Sequence, residues 1–101
     1  MEINELVEKY SADILNESDQ NKQNEAMINV VTIISNEMGQ KLESANIDSL
    51  KRKEKKAVLE RILQETNDKY TAFVLEINKM AGKDLLKPDG IRKMLAKNLK
   101  L

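Results

Sequence analysis

Residues 59–80 read LERILQETNDKYTAFVLEINKM, and the spacing of apolar side chains in this stretch decides the fold class. Leu59, Leu63, Thr66, Tyr70, Phe73, Ile77 and Met80 follow one another at steps of 4, 3, 4, 3, 4 and 3, with Ile62, Val74 and Ala81 flanking them. This is a heptad seam held for three repeats, the pattern that keeps one helix face turned toward a neighbour. No Gly or Pro falls between Ser49 and Ala81. The stretch therefore predicts one long helix over about residues 49–81, with Asp48 or Ser49 as N-cap. Gly82 sits just past its end, where a left-handed residue is wanted.

Such a helix raises a problem of size. It would span ~50 Å, whereas a compact globule of this length has a radius of gyration of ~13 Å. Either it breaks at Thr66-Asn67-Asp68, the poorest helix formers along it, or a second chain covers the part that projects. The seam serves as the core face of an ordinary bundle or as an association seam between two chains, and a homodimer joined through it is the expectation carried forward.

Working toward the N-terminus, Ile3, Leu6, Val7, Tyr10 and Ile14 recur at helical steps and predict a first helix over about residues 2–16. Asn16-Glu17-Ser18-Asp19 breaks it and supplies caps for the next. Met27, Val30, Val31, Ile34, Met38 and Leu42 then keep helical spacing, although the centre, Val30-Val31-Thr32-Ile33-Ile34, is β-branched enough to resemble a buried strand. Continuity of the face through Glu43 favours helix. Ile28 and Ile33 widen the stripe and point to the most buried helix of the fold, while Gly39 marks a close helix contact or a weak point. Toward the C-terminus, Pro88-Asp89-Gly90 precedes a short basic helix with the stripe Ile91, Met94, Leu95 and Leu99, too short to stand alone and expected to dock on the body. The expected architecture is all-α, a single domain over residues 1–101 built as a small bundle of three to four helices.

Composition agrees. The 101 residues are 34% charged and 41% hydrophobic but only 3% aromatic, with three Gly and one Pro, which favours helices over a turn-rich sheet fold. No run approaches the roughly 18 apolar residues of a membrane span, and Met1-Glu2-Ile3-Asn4-Glu5 lacks the apolar core of a signal peptide. A cytoplasmic protein with no membrane partner is expected. Fourteen Lys against three Arg, with ten Asn, suit A/T-rich coding, as in low-GC bacteria and many of their phages.

Chemistry is sparse. With no His and no Cys, the commonest general base, the thiol nucleophile and the usual zinc ligands are missing. Ala81-Gly82-Lys83-Asp84 touches the end of a phosphate-loop motif, but the upstream Gly is absent and Asp84 stands where Ser or Thr would hold magnesium. No enzyme, cofactor or metal is expected.

Charge is more informative. Residues 1–48 carry three Lys against ten Asp/Glu, a net of −7, and residues 49–101 carry fourteen Lys/Arg against seven acids, a net of +7. Either the halves neutralise each other, within the chain or across a dimer, or each offers a field to a partner. Five cations, Lys51, Arg52, Lys53, Lys55 and Lys56, crowd the start of the long helix, where the helix dipole prefers anions. Together with Arg92, Lys93, Lys97 and Lys100 they form the candidate surface for an anionic partner. The expected function is protein–protein binding, as a small regulator, inhibitor or adaptor. The alternative is nucleic-acid or nucleotide-phosphate binding through the same cations. Tyr10, Tyr70 and Phe73 argue against the alternative, because all fall on apolar stripes and read as core rather than as stacking platforms.

Overall fold

The computed structural model describes residues 1–87 and 89–98. Its elements are α1 (Ile3–Leu15), α2 (Gln20–Ser44), a 3-10 turn (Ile47–Ser49), α3 (Arg52–Ala81) and α4 (Arg92–Asn98). Among the described residues there is no strand. Leu99 and Lys100, assigned above to the last stripe and the basic surface, and Pro88 lie outside the described residues.

The short linkers are set by local chemistry. Glu2 and Glu5 form a capping box at the start of α1. Asp19 caps α2 by accepting the Lys22 N–H at 3.1 Å, and Gln23 Nε2 donates to the Ile14 carbonyl at 2.6 Å, closing the α1–α2 turn. The β-branched centre of α2 is helical because its i, i+4 face is buried, Ala26, Val30 and Ile34 against α1 and α3 and Met38 against α3 and α4, and that burial outweighs the local strand preference. Ile28 does not widen this face. It is 64% exposed, and α3, with eight buried residues against four in α2, is the most buried helix. Gly39 makes no close helix contact either, since no atom of a neighbouring element lies within 4 Å of where its Cβ would be.

The start of α3 also departs from expectation. Asn46 adopts a left-handed φ of 49°, the 3-10 turn absorbs Ile47–Ser49, and Ser49 Oγ donates to the Asn46 carbonyl. Asp48 and Ser49 are thereby spent on the turn, and the helix begins three residues later with Lys51 as an N-cap that makes no side-chain bond. Past that point α3 is unbroken. Thr66 Oγ1 donates to the Ile62 carbonyl at 2.8 Å and Gln64 Nε2 to Asp68 Oδ1 at 2.8 Å, so the weak stretch bonds along the helix instead of opening it. Gly82 ends it with φ 72°.

The long helix is accommodated by an elongated molecule, 50 × 21 × 19 Å with a radius of gyration of 15.1 Å. α2 runs beside it, and two short helices share the rest of the cover. α1 occupies one half, from Met1 beside Glu37 and Lys69 to Glu17 on Lys83. Ile14, Phe73 and Ile77 are buried in that half. In the other half α4 inserts Leu95 against Met38, Ile62 and Leu63, a burial that contributes about 2 kcal/mol. Neither a break nor a second chain is needed to cover the seam.

Candidate functional site

The basic cluster forms one tip of this elongated bundle. Lys51, Arg52, Lys53 and Lys56 are exposed, and among the described residues none of them makes an ion pair. Lys55 reaches Asp48 at 3.7 Å, but the Asp48 side chain is 94% exposed. A surface pair of this kind adds little. The acids of α1 do not offset the cluster. That helix runs alongside α3 only from the level of Lys69 onward, about 25 Å up the helix from Arg52, several Debye lengths at physiological salt. The two halves of opposite charge do meet elsewhere, in the Lys69–Glu37 pair at 3.1 Å and the Lys83–Glu17 pair at 2.7 Å.

The C-terminal cations divide. Arg92 is held internally, its guanidinium on Glu60 and Gln64 and its backbone N–H on Asn67 Oδ1 at 3.1 Å. Lys93 and Lys97 are exposed. α4 descends from Asn67 toward the tip, where Ala96 joins Val58 in one cluster, so Lys97 extends the basic field in that direction. Lys100 lies outside the described residues.

Of the seam residues, Leu59, Leu63, Thr66, Phe73 and Ile77 are buried by the chain's own helices, Tyr70 is half-buried and Met80 is 50% exposed. Two chains could share that seam only by displacing α1, α2 or α4. Burial pushes the Tyr70 hydroxyl pKa up. Tyr10 and Tyr70 both pack on the core cluster with Phe73, as their stripes predicted.

No protein-family model, no curated protein and no solved structure matches this chain.

The surface hollows are open and shallow. One of about 460 Å³ continues the line of α1 between α2 and α3, lined by Glu37, Lys41, Ser44, Arg61, Ile62 and Glu65, and the Lys41–Glu65 pair at 3.7 Å crosses it. Among the described residues no three acids gather to hold a metal ion, and no helix is long and apolar enough to cross a membrane. Two features escaped the sequence reading. Asn78, buried on α3, donates to the Leu86 carbonyl and accepts the Leu86 N–H, both at 2.8 Å, and so straps the segment leading to α4. Gly90 passes so close to Asn67 that a Cβ would overlap its side chain. The run of poor helix formers around Asn67 hinted at the second, and nothing in the sequence hinted at the first.

Proposed function

We propose that this protein is a non-catalytic helical binding protein, a regulator, inhibitor or adaptor, whose basic tip meets an acidic protein surface. The observation that carries this reading is the set of four exposed cations that have no ion-pair partner among the described residues, at the end of the molecule farthest from α1. A stable fold tolerates cations at a helix start, each costing ~0.3–1 kcal/mol at low salt, when an outside anion offsets them. The half-buried or buried state of all three aromatic residues favours protein over single-stranded nucleic acid.

The test replaces Lys51, Arg52, Lys53, Lys55 and Lys56 by Gln. Melting temperature is expected to stay level or rise, and salt-sensitive binding to an acidic polypeptide, with poly-glutamate as the probe, is expected to disappear. A clear loss of stability would assign the cations an internal role. Tight binding of duplex or single-stranded DNA at physiological salt, lost in the same variant and falling linearly in log–log dependence on salt, would replace the protein partner by nucleic acid.

A further inference from the structure

The outward face of α2 has no charge in its central part, although 34% of the chain is charged: residues 26–36 include no Asp, Glu, Lys or Arg. Depletion of charge around an exposed apolar side chain is the compositional mark of an interface core. Ile28 is 64% exposed, and with Met27, Val31, Thr32 and Tyr70 it forms a shallow apolar hollow. Ile28, Thr32, Ser35 and Gly39 follow at steps of 4, 3 and 4 along this face. Thr32 Oγ1 donates to the Ile28 carbonyl at 2.7 Å, so covering it would orphan no donor. Gly39 costs helix stability relative to Ala, and its own chain gives no steric reason for it, with no atom of a neighbouring element within 4 Å of a Cβ there.

We infer that this face binds a second copy of the chain, the two α2 helices packing antiparallel. The pairings of Ile28 with the partner's Gly39 and of Thr32 with the partner's Ser35 are both symmetric about the point between Ile33 and Ile34. One twofold axis therefore seats each isoleucine knob over the other chain's glycine and sets the small polar residues side by side. Charge selects the antiparallel sense. Residues 13–25, at the α1–α2 turn, carry four acids and one Lys, and residues 48–56, at the opposite end, carry five cations and two acids. These ends, of net −3 and +3, meet in the antiparallel pair, whereas a parallel pair would set like against like. The contact uses α2 and leaves the cover of the heptad seam in place.

Sedimentation equilibrium over a concentration series tests this. The native chain is expected to self-associate below about 1 mM, more weakly as salt rises. Ile28→Glu and Gly39→Leu are each expected to raise the dissociation constant by about tenfold or more, with helical circular dichroism retained because both sites are open. Mixing Thr32→Cys with Ser35→Cys chains, in a protein otherwise free of cysteine, is expected to give the mixed disulfide in preference to either symmetric one. A native chain that stays monomeric to that concentration overturns the inference. So does association that both α2 variants leave unchanged, or symmetric Thr32→Cys disulfides in excess of mixed ones. The salt dependence draws on the basic tip, but the α2 variants and the disulfide pattern do not, so the two proposals fail separately.

Discussion

Replacing Asn78 by Ala tests how the C-terminal segment is held. The amide of Asn78 makes two hydrogen bonds to the Leu86 backbone at 2.8 Å, each contributing about 1 kcal/mol net. Truncation also leaves the Leu86 N–H and carbonyl without partners in a half-buried position, and partial access of water keeps the total near ~2–3 kcal/mol. Against this stands a weakly docked segment. Leu95 contributes about 2 kcal/mol, but each ordered residue between Gly82 and α4 costs ~1 kcal/mol or more of backbone entropy. The loss is therefore expected to appear as local undocking. Native-state hydrogen exchange should show amides of residues 85–98 losing about a hundredfold in protection, while the amides around Val30 and Phe73 keep theirs. Equal loss of protection in α1 and α4 would refute the reasoning, because it would mean that Asn78 stabilises the bundle as a unit.

Three further outcomes are expected. Phe73→Ala should destabilise the bundle by ~3–5 kcal/mol, measured by denaturant unfolding, since Phe73 is fully buried at the centre of one core cluster. Thr66→Val should be neutral or stabilise by up to ~1 kcal/mol: the helix does not end there, and the Ile62 carbonyl, freed of Thr66 Oγ1, keeps its backbone bond, so a thermal melt showing a clear loss would mean that the hydroxyl holds the helix together. Glu37 is partly desolvated, which raises its pKa, but hydrogen bonds and charge from the Met1 ammonium and Lys69 outweigh this and hold it below the usual value. Its contribution is thus complete above the carboxylate range and is lost as pH falls through the lowered pKa, and Glu37→Gln should flatten that part of the stability–pH curve.

The helices were legible where the cause is local. A period of 3.5 marks α3, Asp19 caps α2 three residues before the N–H it binds, and Gly82 takes the left-handed position that ends a helix. The start of α3 was misread because Asp48 and Ser49 are good caps for any helix, and the left-handed Asn46 committed both to a preceding turn. Ile28 was misread for a related reason: hydrophobicity marks a residue that prefers cover without saying which element supplies it. The cations of the tip were visible as a run, but the internal capture of Arg92 depended on Glu60 and Gln64, about thirty residues away, and had no sequence signal.

The heptad seam shows most clearly what pattern leaves open. A seam states that a helix face is covered along its length, and leaves unstated whether one chain or two provide the cover. Here α3 is 30 residues long and α2 is 25, while α1 and α4 have 13 and 7. No single remaining helix could complete the cover, but α1 and α4 divide it, one on each half. That division depends on the strap from Gly82 to Ile91, which reverses the chain and is anchored by Asn78 and Asn67. If the strap fails, as in the Asn78→Ala variant, the apolar floor of Met38, Ile62 and Leu63 loses its cover only where Leu95 sat. The seam would then become available to a second chain over that half alone, and concentration-dependent association should appear in the variant even when Ile28→Glu is also present. A double variant that remains monomeric while its α4 amides exchange freely would show that the uncovered half is too small to bind a second chain.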